Sequence, residues 1–295
     1  MAEKYKRRFG DLKYARRIRK INGMEQLNID VKPNRSVSDV YINQKMDVTI
    51  LADYLAKKKE EGTHITFFHA FLAAIGKTYY SRPQLNRFVK NRHLYEHNTV
   101  SIGFVAKVSF EDRAEEMMTI VPIEENDNIF TISEKVTKMV SSFRDKKATK
   151  EGANNAMDVL GKLPNIVRVP VVGFFKFLDK KGRLPGFLRK DNLYFSSIIV
   201  SNLGSIKCGA ICHNINDFGC CSDLATMGEI KNEEIIDEKG EKHIRKICEF
   251  GINLDERVGD GYYFAKAVHI LQYLFDNPEL LEEDANAKVE IAEIR

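Results

Sequence analysis

Apolar and polar residues cycle along most of this chain, and the length of the cycle assigns each stretch. From Ser38, Val40 and Ile42 alternate with polar neighbours, the two-residue period of a half-buried strand. Asp47 then stands as an N-cap ahead of Ile50, Leu51, Tyr54 and Leu55 at helical spacing. A second helix is predicted over residues 66–80, with Phe67, Phe68, Phe71, Leu72 and Ile75 on one face, and Arg82-Pro83 ends it. Strand-like stretches follow at 88–95, at 99–110, where Val100, Ile102, Phe104, Ala106, Val108 and Phe110 alternate, and at 117–123. Thr131 and Glu134 have the spacing of a capping box, opening a helix to about residue 144 with Val136, Met139 and Val140 inward.

Residues 145–192 break this regularity. A short helix is predicted at 156–160; then Pro164, Pro170 and Pro185 punctuate an apolar and basic stretch containing Phe174, Phe175, Phe177 and Phe187. Such a stretch suits a membrane surface or a subunit-packing insertion; the prolines, which interrupt any sustained helical face, favour packing. Strands are predicted again at 193–201, 223–230 and 243–254. A helix over 262–275 closes the pattern, with Phe264, Val268, Leu271 and Phe275 in a stripe. Strands and helices mix without a βαβ rhythm, an internal repeat or a Gly-rich phosphate loop, which predicts an α+β layered domain.

Composition narrows the class. A chain of 295 residues with 43% hydrophobic content can bury a large core. No run of uncharged apolar residues reaches the ~18 that a membrane span needs, and the charged N-terminus lacks a signal-peptide core. Five cysteines, an odd and uneven set, argue against a secreted disulfide framework and for a reducing cytoplasm. Net charge is +4, yet nine Lys/Arg fall within residues 1–20 and six acids within 279–295. A basic arm of that kind binds nucleic acid or acidic lipid, or is a solvated helix end or a docking arm on a neighbouring subunit. Without an aromatic platform beside it, nucleic acid is not expected as a partner.

The chemistry-bearing residues lie in the last third. One segment is Val200-Ser201-Asn202-Leu203-Gly204; the other is Asp255-Glu256-Arg257-Val258-Gly259-Asp260-Gly261, followed by a helix and Asp276-Asn277-Pro278-Glu279-Leu280-Leu281. Taken alone, Asp260-Gly261 also reads as an ordinary N-cap and turn, and Ser201 as a strand end. In this order and spacing, the segments resemble the catalytic domain of the dihydrolipoamide acyltransferases of 2-oxoacid dehydrogenase complexes. Those enzymes share their fold with chloramphenicol acetyltransferase, and their usual wording is S-[NS]-L-G, then D-H-R-V-x-D-G, then D-P-x-x-L-L. Fainter likeness at Asp47-Val48-Thr49 and Pro83-Gln84-Leu85-Asn86 extends the match to roughly residues 36–282, with 145–192 unmatched.

The resemblance implies an α+β, two-layer sandwich with a mixed sheet, assembled as a homotrimer with sites between subunits. It divides the chain into a basic arm (1–35), an acyltransferase-like domain (36–282, with the insertion at 145–192) and an acidic tail (283–295). Acyl-CoA is the implied substrate, and the acyl acceptor is a thiol or another small molecule. No Asp-Lys-Ala lipoylation turn precedes the domain, so no lipoyl group is expected on this chain, and a dihydrolipoamide acceptor implies a separate lipoyl protein. Matched position by position, Ser201 is the oxyanion-stabilising serine, Asp260 the structural aspartate and Gly261 the turn glycine. Glu256 occupies the place of the histidine base.

Removing a thiol proton near neutral pH suits an imidazole of pKa about 6.5; an ordinary glutamate, about 4.3, is a weaker base by roughly 3 kcal/mol. Either Glu256 works as an unusual base, another residue such as His213, His64 or His69 substitutes, or the chain is an inactive trimeric relative that binds acyl-CoA or serves as a scaffold. Cys208, Cys212, His213, Cys220 and Cys221 fall within fourteen residues, but only the first pair has zinc-hook spacing, so buried thiols and no metal are expected.

Overall fold

In the computed structural model, residues 7–107, 116–145, 152–237 and 239–289 are described. In chain order they form β1 (Ala15–Arg17), α1 (Gly23–Val31), β2 (Asp39–Asp47), α2 (Thr49–Glu60), α3 (Phe67–Ser81), β3 (Arg87–Lys90), β4 (His93–His97), β5 (Val100–Lys107), β6 (Glu116–Ile123) and α4 (Ile129–Asp145). Then come α5 (Gly152–Gly161), α6 (Asn165–Lys180), α7 (Gly186–Arg189), β7 (Ile198–Asn202), β8 (Asp223–Ile236), β9 (Lys242–Asp255) and α8 (Gly261–Asp276). The main sheet runs β2-β9-β8-β7-β5-β6; β5, β7 and β8 are parallel neighbours and the other pairings antiparallel. A small antiparallel sheet, β1-β4-β3, stands beside it.

The period-two pattern sorts the strands' two faces. Ile198, Val200, Ala225, Phe250, Ile252 and Leu254 point into the large core with α2, α3, α4 and α8. Ile199 and Leu224, one residue out of phase, point the other way and meet Ile215 and Cys221. Helices therefore cover one face, and the irregular strap of residues 203–222 covers the other.

Local chemistry sets the boundaries. Thr66 caps α3 in a box closed by His69. Asp47 accepts the Thr49 N–H at 2.8 Å, capping α2 from one residue before the assigned N-cap, Val48. The capping box expected at Thr131 lies one turn earlier: Asn128 accepts from the N–H groups of Phe130 and Thr131, and Thr131 Oγ1 accepts the Asn128 N–H. The stretch at 88–95 is a hairpin, turned by Asn91 and Arg92 in the left-handed region (φ 50° and 62°). Residues 108–110 of the alternating run lie outside the described residues.

One expectation is corrected. The prolines of the insertion do not break its helix. Pro164 and Pro185 sit at N-caps, where a missing N–H costs nothing, and α6 runs continuously through Pro170. Its far end is anchored by Asp179, which pairs with Lys90 at 2.7 Å and accepts the Gly219 N–H at 2.9 Å. Within the basic arm, the described stretch 15–31 packs on its own chain: β1 pairs with β4, Arg16 forms a two-pronged bond to Glu96, and Ile29 of α1 is buried. No helix of the described residues is long and apolar enough to cross a membrane.

Candidate functional site

Ser201 sits near the end of β7 on the strap face, in phase with Ile199. It lines a pocket of about 310 Å³ with Thr226 of β8 and with His213, Asn214, Ile215 and Asn216 of the strap. Thr226 Oγ1 donates to the Ile211 carbonyl at 2.5 Å and accepts the Ile211 N–H, and Asn253 Nδ2 donates to the His213 carbonyl at 2.9 Å. The strap lies this close because the sheet beneath it is bare. A Cβ on Gly251 would stand 2.2 Å from the Ile211 carbonyl oxygen, and one on Gly228 would stand 2.7 Å from the Ala210 nitrogen.

His213 Nδ1 is 2.6 Å from the Asn214 carbonyl. A carbonyl only accepts, so Nδ1 is the donor in this bond and Nε2 is left facing away from it. Of the three alternative histidines, His213 alone shares the Ser201 pocket. His69 is committed to the α3 cap and to Ser133 at 2.8 Å, and burial lowers its pKa. His64 is exposed just before that helix.

Glu256 lies elsewhere in the chain. Ser201 shares a register row with Thr226 and Gly251, and Glu256 is five residues beyond Gly251, roughly 16 Å along the strand direction. A single chain therefore does not bring the two together. The Glu256 carboxylate forms an ion pair with Lys32 at the end of α1, and the Glu256 carbonyl accepts from Asn28 Nδ2 at 3.3 Å. Arg257 turns from Glu256 to grip the buried Asp255 with two bonds, 2.8 and 2.6 Å, while donating to the Lys32 carbonyl. Asp255 also lies 3.8 Å from Arg35, which bonds the Ser222 carbonyl, Asn253 and Asp39. Asp260 is the N-cap of α8, accepting the Tyr263 N–H at 2.7 Å.

Sequence reasoning missed Asp223, at the head of β8. It is fully buried; Tyr79 donates to one carboxylate oxygen at 2.6 Å, while the other has no partner. Burial pushes its pKa up to about 7, against the opposing pull of Tyr79 and Arg35. It was visible only as one acid opening an apolar run.

The cysteines do not gather. Cys208 and Cys212 are exposed; Cys220 packs with Ala15, Phe88 and Tyr95, and Cys221 with Leu193, Ile199 and Leu224. Burial pushes the Cys221 thiol up to about 12, away from the thiolate that zinc requires. Among the described residues, the one grouping of potential ligands close enough for an ion is Asp237, Glu241 and His243, at the β8–β9 turn.

No protein-family model matches the chain, and no curated protein matches it significantly. Solved structures do. A probable dihydrolipoamide acetyltransferase from Listeria monocytogenes 4b F2365 superposes with a TM-score of 0.57 at 17% identity, covering 89% of this chain and 95% of that one. A dihydrolipoamide acetyltransferase from Azotobacter vinelandii, in which a serine, a histidine and an asparagine have been studied for their part in catalysis, gives 0.58 at 14%, covering 90% and 93%. Chloramphenicol acetyltransferase gives 0.54 at 12%, covering 88% and 99%. The fold is thus the chloramphenicol acetyltransferase-like α+β sandwich found in the catalytic cores of dihydrolipoamide acetyltransferases.

Proposed function

We propose that this protein is an acyltransferase, moving an acyl group between coenzyme A and a small thiol, dihydrolipoamide-like, or a hydroxyl or amine acceptor. The observation that carries this reading is the pocket holding Ser201 and His213 on a fold known from acyltransferases. His213 Nε2 would take the acceptor's proton as the acceptor attacks the thioester carbonyl. Ser201 would donate to the tetrahedral oxyanion, and collapse would expel the coenzyme A thiolate, which recovers the proton from His213. The assembly proposed is a homotrimer, in which the Glu256 segment of one copy approaches the Ser201 pocket of the next. A separate lipoyl-bearing protein is one acceptor of the right chemistry.

The Lys32–Glu256 pair favours a second reading: with its carboxylate held by an ammonium, the segment that matches the family's base serves as a strut, and the protein binds acyl-CoA without turning it over. Acetyl-CoA turnover with dihydrolipoamide and a panel of small acceptors separates the two. On the first reading, Ser201→Ala lowers kcat by about 10²-fold or more, and His213→Ala abolishes turnover. If Glu256→Gln abolishes it while His213→Ala does not, the base is Glu256. An inactive wild type that gains activity on Glu256→His establishes the second reading. A light-scattering mass near the single-chain 33.8 kDa would exclude the trimer.

A further inference from the structure

Three cavities on the strap face have one residue in common. Asn216 lies in the wall of the Ser201 pocket, of an apolar pocket beneath α5–α7, and of a basic cleft beside β3. The apolar pocket, about 690 Å³, is walled by Met157, Leu160, Val172, Phe175, Leu188 and Phe218. Its α6 wall follows from spacing: residues 168, 172, 175 and 176 share one helical face, which puts Val172 and Phe175 inside and Lys176 at the border with the cleft. The cleft, about 630 Å³, is faced by seven Lys/Arg and three Asp. Two of those acids are already engaged by cations, Asp179 by Lys90 and Asp255 by Arg257, and Asp217 accepts from Ser36. Lys176 and Lys180, one turn apart at the end of α6, and Lys181 at its C-cap also face the cleft, where they can meet an anion.

We propose that these cavities form one site for an acyl thioester of coenzyme A bearing an unbranched chain well beyond acetyl. The chain fills the apolar pocket, the phosphates meet Lys176, Lys180 and Lys181, and the thioester lies at Asn216, on the border with the Ser201 pocket. Asn216 Oδ1 accepts the Phe218 N–H at 2.8 Å, which leaves Nδ2 as a second donor, beside Ser201, for the thioester carbonyl. An apolar pocket bordered by lysines matches a ligand with an apolar chain and a polyanionic head, a charge pattern that neither a second copy's apolar face nor a neutral lipid offers. This assignment names the substrate class of the acyltransferase read above and rests on that reading.

The chain contains no tryptophan, so Phe175→Trp places a single, selectively excitable tryptophan in the apolar pocket. Titration of that variant, and calorimetry of the wild type, with coenzyme A, acetyl-, butyryl- and octanoyl-CoA test the assignment. Affinity is expected to rise by up to about fourfold per added methylene, and by at least about tenfold from acetyl- to octanoyl-CoA. Leu160→Trp, which fills the pocket, flattens that series without weakening free coenzyme A. Lys180→Glu with Lys181→Glu weakens every coenzyme A species and removes much of the salt dependence. A Kd independent of chain length, with acetyl-CoA still bound and turned over, overturns the chain pocket alone. Octanoate binding as tightly as octanoyl-CoA overturns the role of the cleft. Failure of every coenzyme A species to bind removes the acyl-transfer reading itself.

Discussion

Asp223→Asn should make the protein more stable at neutral pH and leave it unchanged in acid. Asp223 is fully buried with one oxygen unpartnered, and its pKa stands at about 7 against an ordinary 3.8. Between those values the folded chain keeps a proton that the unfolded chain releases. Folding stability contributed by the protonated form is therefore complete below about pH 4 and is lost as pH rises through 7. Each pKa unit corresponds to about 1.4 kcal/mol, so the loss is about 2 kcal/mol at pH 5.5 and about 4 kcal/mol by pH 7.5. Asparagine is nearly isosteric, still accepts from Tyr79, and never ionises. Urea unfolding at a series of pH values, with m unchanged between the two proteins, measures the difference directly. The variant's advantage should grow from near zero at pH 4 to about 4 kcal/mol at pH 7.5. A constant offset across the series, or a growing disadvantage, would refute the reasoning.

Three further outcomes follow from the packing. His97 is buried against Phe88, and burial, with Lys90 adding, lowers its pKa to about 4. Its share of stability is complete above about pH 6.5 and falls by about 3 kcal/mol as pH drops to 4, and His97→Gln should shrink that acid loss in the same urea series. Lys90→Met strands Asp179 in the interior and should cost about 3–5 kcal/mol in chemical denaturation, whereas Lys90→Met with Asp179→Leu recovers much of it. Gly251→Ala drives a methyl into the Ile211 carbonyl; we expect a loss of more than about 2 kcal/mol, with faster amide exchange along residues 208–214.

Periodicity located every long element of the main sheet and its helix layer because each buries one face, which residue type alone reports. It failed where tertiary contacts decide. The 91–92 turn carries no glycine, and Arg92 accepts φ 62° only because the β3–β4 ladder closes around it. Helix α1 buries only Ile29, too little to give a stripe. Proline counting misjudged α6, which runs on through Pro170 and is tied at its far end by Asp179 to β3 and the strap. At the site, Ser201, Glu256 and Asp260 stood out through their motif, but their surroundings did not. Lys32 and Glu256 are 224 residues apart in the chain, and His213 comes to line the Ser201 pocket only through the path of the strap.

That path has an evolutionary side. The strap rests on main chain at Gly228 and Gly251 and is tied through backbone groups of Ile211 and His213. Its height above the sheet is therefore set by four sheet residues, Gly228, Gly251, Thr226 and Asn253, and not by the strap's own side chains. Side chains projecting from the strap and from α5–α7 are free to drift in size and polarity while the roof over Ser201 stays in place. Descendants of this chain can change what they bind without first rebuilding where they bind it.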